Sequence, residues 1–135
     1  MPYRLIISEA DCLGVGKFTN ASGDTECVEF VRQATGAPGT PIWGQGIKVS
    51  KAKLGDIPRG TAIATFDSHG HYPTDHLGKH AAIYLSQDFF SKGKRAIHVL
   101  DQWDDQGEVL PRPIYFDRPK GTKRSNDGDT FYVIK

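Results

Sequence analysis

The sequence predicts an α+β fold in which one helix packs against an antiparallel β-sheet. A helix-like stretch occupies positions 26–35, several short apolar stretches follow it, and no second helical pattern separates them. The chain has 135 residues, of which 38% are hydrophobic and 24% charged. This length and composition predict one globular domain, spanning 1–135, with a core of its own.

The helix is expected to begin near residue 26 and to end at residue 35. Asp24 or Thr25 is a suitable N-cap, because a short polar side chain accepts a hydrogen bond from the first helical turn. Gly36 follows the last apolar position and Pro38 lies just beyond it, which is typical of a helix C-terminus.

The rest of the chain is expected to form strands. A loop rich in glycine and proline, at 36–46, carries Trp43 and separates the helix from them. Because turn-rich segments bound each stretch and no helix intervenes, neighbouring strands are expected to be antiparallel. The predicted strands are 61–66, 80–85, 96–100, 112–116 and 130–134.

Cys27 is the most informative single residue, because it lies at the predicted start of the helix. A thiol at a helix N-terminus ionises more easily in the field of the helix dipole, and the thiolate is the reactive form. The backbone N–H of this residue lies in the first helical turn, where it lacks a helical acceptor and can serve as an oxyanion donor. The position therefore favours a nucleophile.

His80 and Asp101 are the expected partners of this thiol. His80 opens one predicted strand and Asp101 follows the next, so antiparallel pairing places them side by side. Together the three residues predict a Cys-His-Asp triad, in which imidazole moves the proton and the acid orients the imidazole. Taken singly, they have a simpler interpretation as a buried cysteine, a satisfied strand histidine and a surface acid.

The motifs resemble those of the CHAP family of peptidoglycan amidases and endopeptidases, and of its NlpC-type relatives. The segment 27–31 (Cys-Val-Glu-Phe-Val) resembles the CHAP nucleophile motif, and Trp43-Gly44 resembles the Trp-Gly that follows it. Segments 56–66 and 78–84 are similar to the family's proline-glycine strand and its glycine-x-histidine strand. Asp101 stands where CHAP domains carry their third residue. The resemblance implies a papain-like fold and a cysteine hydrolase.

Two departures bear on this resemblance. NlpC-type domains usually have Asp-Cys-Ser-Gly at the nucleophile, whereas this chain has Glu26-Cys27-Val28-Glu29, which favours the CHAP side. NlpC-type domains also often use histidine as the third residue, so His98 is the alternative to Asp101. Asp101 is preferred because a carboxylate also stabilises the imidazolium.

Charge, hydropathy and ligand patterns exclude several other classes of function. A formal net charge of +1 argues against binding to nucleic acid, and no apolar run is long enough for a membrane span. The N-terminus lacks the pattern of a secretory signal peptide. His69, His71 and His76 have ligand chemistry but lack the spacing of a rigid site, so we expect no metal and no cofactor.

The expected function is cleavage of an amide bond in peptidoglycan peptide. Without a signal peptide, the enzyme is expected to be cytoplasmic in the producing cell and to leave by another route, such as a type VI secretion machine. Such delivery implies an immunity protein as partner. Trp43 and Tyr72 are candidate substrate-binding residues, whereas Trp103 is expected in the core. The alternatives are an intracellular papain-like peptidase or acyltransferase on another substrate, and a non-enzymatic binding module.

Overall fold

The computed structural model describes residues 2–89 and 94–135. Its centre is a seven-stranded antiparallel sheet with the strand order β1-β6-β5-β4-β3-β7-β2. The strands are β1 (Gly14–Val15), β2 (Gln45–Lys48), β3 (Ala62–Thr65), β4 (Ala81–Gln87), β5 (Ala96–Asp101), β6 (Glu108–Tyr115) and β7 (Phe131–Ile134). The helices are α1 (Glu9–Cys12) and α2 (Cys27–Thr35). The predicted α+β class is confirmed.

Helix α2 ends where the sequence predicts but begins without the expected cap. Gly36 adopts the left-handed conformation (φ 76°) and its N–H donates to the Arg32 carbonyl, which closes the last turn. The N-cap is Glu26, and its side chain makes no capping hydrogen bond, so the choice of Asp24 or Thr25 was wrong. The Thr25 hydroxyl instead donates to the Trp103 carbonyl at 3.2 Å, which ties the helix start to the segment after β5.

Both faces of the sheet are buried, so its central strands consist of nearly continuous apolar residues. In β3, Ala62 and Ala64 belong to the cluster under α2, while Ile63 belongs to the cluster on the opposite face. This alternation follows from the two-residue period of a strand. Helix α2 lies over β4, and Phe30 and Val31 of that helix are fully buried in the cluster.

Among the α-helices and strands of the described residues, three were absent from the sequence prediction, namely α1, β1 and β2. Each has four residues or fewer, which is too short to show a hydrophobic period. The five predicted strands are present as β3 to β7 with slightly different ends. Among the described residues, no helix is long and apolar enough to cross a membrane.

Candidate active site

The start of α2 and the facing ends of β4 and β5 meet in one cleft. Cys27 is the first residue of α2, His80 directly precedes β4, and Asp101 ends β5. Antiparallel pairing of β4 with β5 brings Ile83 opposite Leu100, which places His80 beside the end of β5. The structure therefore brings together, from three separate elements, the three residues that the sequence predicts to act together.

His80 is held by the buried carboxylate of Asp101. The imidazole Nε2 donates to Asp101 Oδ2 at 2.7 Å, and neither side chain is more than 5% exposed. The His80 backbone is fixed as well, because its N–H donates to the Thr65 hydroxyl at 3.0 Å and its carbonyl accepts from the Thr65 N–H. With Nε2 engaged, Nδ1 is the ring nitrogen left to face Cys27.

The charges of Cys27 and His80 stabilise each other. Burial raises the pKa of Cys27, but the hydrogen bond and positive charge of His80, with the Ala81 N–H and the Tyr72 hydroxyl, bring the pKa below its ordinary value. Burial lowers the pKa of His80, and the hydrogen bonds with Asp101 and Cys27 outweigh it and raise the pKa to about 9. The contact therefore favours the ion pair, a thiolate beside an imidazolium, over two neutral groups.

Tyr72 stands next to the sulfur, with its hydroxyl 3.9 Å from Cys27 Sγ. Burial, and then the neighbouring Cys27, raises the pKa of Tyr72, so its hydroxyl stays protonated as a donor. The rings of Tyr72 and Trp43 pack in a T-shaped arrangement, with their centroids 5.1 Å apart. Because Trp43 is only 3% exposed, its ring is mostly covered by Tyr72 and the surrounding core.

Two residues of the site escaped the sequence analysis. Arg112 on β6 donates from Nε to Asp101 Oδ2 at 2.7 Å, and its guanidinium lies 5.3 Å from the centre of the Trp103 ring. Gln102 is fully buried and donates from Nε2 to the carbonyls of Phe18 and Glu26, at 2.8 and 2.9 Å. It thereby joins the end of β5 to the residue preceding the nucleophile.

The remaining candidates lie elsewhere or differ from expectation. His98 faces Asp88, with Nε2 3.4 Å from both carboxylate oxygens, and it makes no contact with His80. Trp103 is 38% exposed and lines the cleft, so its expected place in the core was wrong. Its ring packs edge-on against the imidazole of His80, with centroids 6.4 Å apart.

The cleft above Cys27 has a volume of about 410 Å³, and Tyr72, His80 and Trp103 are among the residues that line it. None of its lining residues comes from the segment 14–23. Within 2–89 and 94–135, the one group of three acidic, cysteine or histidine ligands close enough for a metal is Asp24, Glu26 and Asp104. All three are exposed acids.

Comparison with known proteins identifies the family. The model of the family described as Domesticated amidase effector 2 matches residues 7–134. A type VI secretion amidase effector 2 protein from Salmonella typhi is 39% identical over 120 residues, covering 82% of this chain and 84% of the relative. A domesticated amidase effector 2 from Ixodes scapularis is 34% identical over 125 residues, covering 89% of this chain and 78% of the relative.

The fold agrees with these matches. A solved structure of a type 6 secretion amidase effector 2 superimposes with a TM-score of 0.75 at 28% identity, over 96% of this chain and 92% of the other. The enzyme class expected from the sequence, an amidase, is confirmed, although the matching family is named neither CHAP nor NlpC. The chain belongs to the Domesticated amidase effector 2 family.

Proposed function

We propose that this protein hydrolyses an amide bond in the peptide part of bacterial peptidoglycan, with Cys27 as nucleophile. The observation that carries the proposal is the line of contacts from Cys27 through His80 to the buried Asp101, open to solvent through one cleft. A half-buried thiol beside a buried imidazole, which in turn contacts a buried carboxylate, supplies the groups that acyl transfer to cysteine requires.

The reaction would proceed in two steps. The Cys27 thiolate attacks the carbonyl carbon, and the His80 imidazolium gives its proton to the leaving nitrogen as the C–N bond breaks. This releases an amine and leaves a thioester on Cys27. Neutral His80 then takes a proton from water, whose oxygen attacks the thioester, and the carboxylic acid product leaves as the thiolate re-forms.

Two donors are available for the oxyanion that forms during each attack. One is the backbone N–H of Cys27, in the unpaired first turn of α2. The other is the Tyr72 hydroxyl, which remains neutral and lies 3.9 Å from the sulfur. A donor fixed before the reaction stabilises the developing charge without having to reorient.

The comparisons and the sequence support the substrate and the delivery route by different arguments. The Salmonella typhi relative is named a type VI secretion effector, which supports delivery of this chain by such a machine from the cytoplasm of the producer. Peptidoglycan as the substrate is supported by the resemblance of the Cys27 and His80 segments to the CHAP motifs, and by the name amidase effector that the relatives carry. A producer exposed to its own enzyme needs an immunity protein, and a partner that covers the cleft at Trp103 would fulfil that role.

The direct test is to incubate the purified protein with purified peptidoglycan and to detect new amino groups and new peptide fragments by mass spectrometry. Wild-type protein is expected to release them, and Cys27→Ala is expected to release none. Amines that appear equally with Cys27→Ala would exclude Cys27 as the nucleophile. Activity on casein or other ordinary peptides, with none on peptidoglycan, would indicate an intracellular peptidase instead.

The role of Asp101 predicts a ranking of two variants. Asp101→Asn should lower turnover on the order of 100-fold or more, because the amide keeps the volume but cannot hold a charged imidazolium. His98→Gln is the matched control, since His98 pairs with Asp88 on its own and should change turnover less than about twofold. The opposite ranking, measured on folded proteins, would transfer the role to His98.

A further inference from the structure

A second cleft, of about 380 Å³, adjoins the catalytic one. The two share Lys79, His80 and Trp103, and the second extends past them to Arg112 and Lys123. His80 is among its lining residues and Cys27 is not. It is therefore a continuation of the active site beyond the catalytic histidine.

The proposed reaction indicates which half of the substrate this cleft would bind. His80 delivers its proton to the leaving nitrogen, so the amine half of the substrate must pass the imidazole. At the opposite end, Tyr72 and Thr40 connect the catalytic cleft to a third one, of about 320 Å³. The acyl half of the substrate would extend toward Tyr72, and the leaving amine would enter the second cleft.

Cationic side chains line the second cleft. Three of its lining residues are cationic, namely Lys79, Arg112 and Lys123, and none is acidic. Arg112 is already engaged with Asp101 and with the Ser125 carbonyl, at 2.7 and 3.0 Å. Among residues 2–89 and 94–135, neither lysine side chain makes a hydrogen bond or a salt bridge. The charge of Lys79 helps to lower the pKa of Asp75, but that carboxylate is already bound by Arg124 at 2.6 Å. The charge of the two lysines is therefore available to a ligand.

The backbones that carry these lysines are held against each other. The Arg124 N–H donates to the Leu77 carbonyl at 3.2 Å, and Arg124 Nη1 donates to Asp75 Oδ1 at 2.6 Å. Gly78 lies so close to the other segment that a Cβ atom there would be 2.9 Å from the Arg124 nitrogen. The two ammonium groups thus project from a fixed frame, which favours recognition of a specific anionic group.

We infer that this cleft binds a free carboxylate on the leaving-amine half of the substrate, with Lys79 and Lys123 as the specificity residues. The inference rests on the proposed hydrolase, since it assigns the amine half to this side of His80. A carboxylate beside the scissile nitrogen would gain two charged donors. An uncharged or amidated group there would gain neither.

The kinetic test uses two synthetic peptides, each of which contains the bond that the protein cleaves in the peptidoglycan digest. They differ only in the leaving-amine residue, which carries either a free carboxylate or a carboxamide. Wild-type protein should favour the carboxylate by about tenfold in kcat/KM, and the double variant Lys79→Gln/Lys123→Gln should reduce this ratio to about twofold. Raising the salt concentration should also shrink the wild-type ratio, because the cleft is open to solvent.

The matched control is Lys51→Gln/Lys53→Gln, which removes the same charge from two exposed lysines that line none of these three clefts. This control should keep the wild-type ratio. A wild-type ratio near one, or an equal loss of ratio in the control and the test variant, would overturn the inference.

A binding measurement separates this inference from the proposed function. Propionate and propionamide, which are matched in size, are titrated into Cys27→Ala while the Trp103 indole signal is followed by NMR. Propionate should shift the signal at concentrations about tenfold lower than propionamide, and Lys79→Gln/Lys123→Gln should reduce the difference to about twofold. If the protein cleaves no bond in peptidoglycan, the proposed function is wrong. The titration then tests by itself whether the second cleft binds a carboxylate. Equal responses to the two probes would refute the inference that this cleft binds a carboxylate.

Discussion

At the scale of single residues, the site is a line of contacts that runs from Cys27 through His80 and Asp101 to Arg112. Asp101 Oδ2 accepts from both His80 and Arg112 at 2.7 Å, so its position is fixed from two sides. Arg112 also packs over Trp103, which lines the cleft. We therefore expect a substitution of Arg112 to alter the position of Asp101, and through His80 the reactivity of Cys27.

The thiol's acidity provides a test that needs no substrate. Alkylation of Cys27 by iodoacetamide should remain fast at pH 6, because the hydrogen bond and charge of His80 hold the pKa of the thiol below its ordinary value. The variant His80→Ala lacks the two largest influences that lower the pKa of Cys27, the hydrogen bond and the charge of His80, so the pKa of the thiol should rise. The rate at pH 6 should then fall on the order of tenfold or more.

The measurement reports on Cys27 without interference from the second thiol. Burial raises the pKa of Cys12 to about 11, so Cys12 reacts slowly across the whole range. Nearby carboxylates would oppose the effect of His80, but Glu29 is paired with Arg32 at 3.0 Å and Glu26 is exposed to water. An alkylation profile that rises only above pH 8, and is unchanged by His80→Ala, would leave Cys27 an ordinary helix cysteine.

The sequence allowed Cys27, His80 and Asp101 to be nominated because each carries a local signal, either a helix start or a strand end. Arg112 and Gln102 carry no such signal. Arg112 acts through a carboxylate on the neighbouring strand, and Gln102 acts through a carbonyl that lies 76 positions earlier in the chain. Roles that depend on tertiary partners cannot be read from spacing alone.

At the scale of elements, the loop before β4 depends on a close backbone approach at Gly78. This residue has φ 91°, and an added Cβ would lie 2.9 Å from the Arg124 nitrogen and 3.1 Å from the Ser125 nitrogen. Gly78→Ala therefore combines a strained backbone conformation with a collision against main chain that cannot swing away. We expect it to lower the free energy of unfolding and to displace Lys79 and His80.

Gly121→Ala is the matched control. Its φ of 93° is nearly the same, but no atom lies within 4 Å of the added Cβ, so it carries the conformational cost alone. That cost is about 1–2 kcal/mol, and Gly78→Ala should cost about 1–3 kcal/mol more, measured by urea unfolding. Equal losses in the two variants would show that the contact with Arg124 does not constrain the loop.

Elements long enough to show a pattern could be predicted, and short ones could not. The helix at 26–35 and the strands that became β3 to β7 have clear apolar runs bounded by turns. Strand β2 has only four residues, and one of them is Gly46, which approaches Val133 so closely that a Cβ would lie 2.7 Å from its carbonyl oxygen. Its place at the sheet edge is set by β7 and not by its own sequence.

At the scale of the whole molecule, one sheet carries two apolar clusters, one on each face. The cluster under α2 contains Phe30 and Cys12, and the opposite cluster contains Ile114 and Phe131. Because the same strands supply both clusters, neither face can lose its packing without disturbing the other. We therefore expect the two faces to unfold together in one cooperative transition.

Cys12 can report on this coupling, because it is fully buried on the face opposite to Ile114. In a Cys27→Ser background, Ile114→Val should remove about 1 kcal/mol of stability and speed alkylation of Cys12 about fivefold. Ile42→Val is the matched control, since Ile42 is 71% exposed and the same change should leave the rate unaltered. If Ile114→Val also left the rate unaltered, Cys12 would become exposed through local opening of α1, and the two faces would not be coupled at that helix.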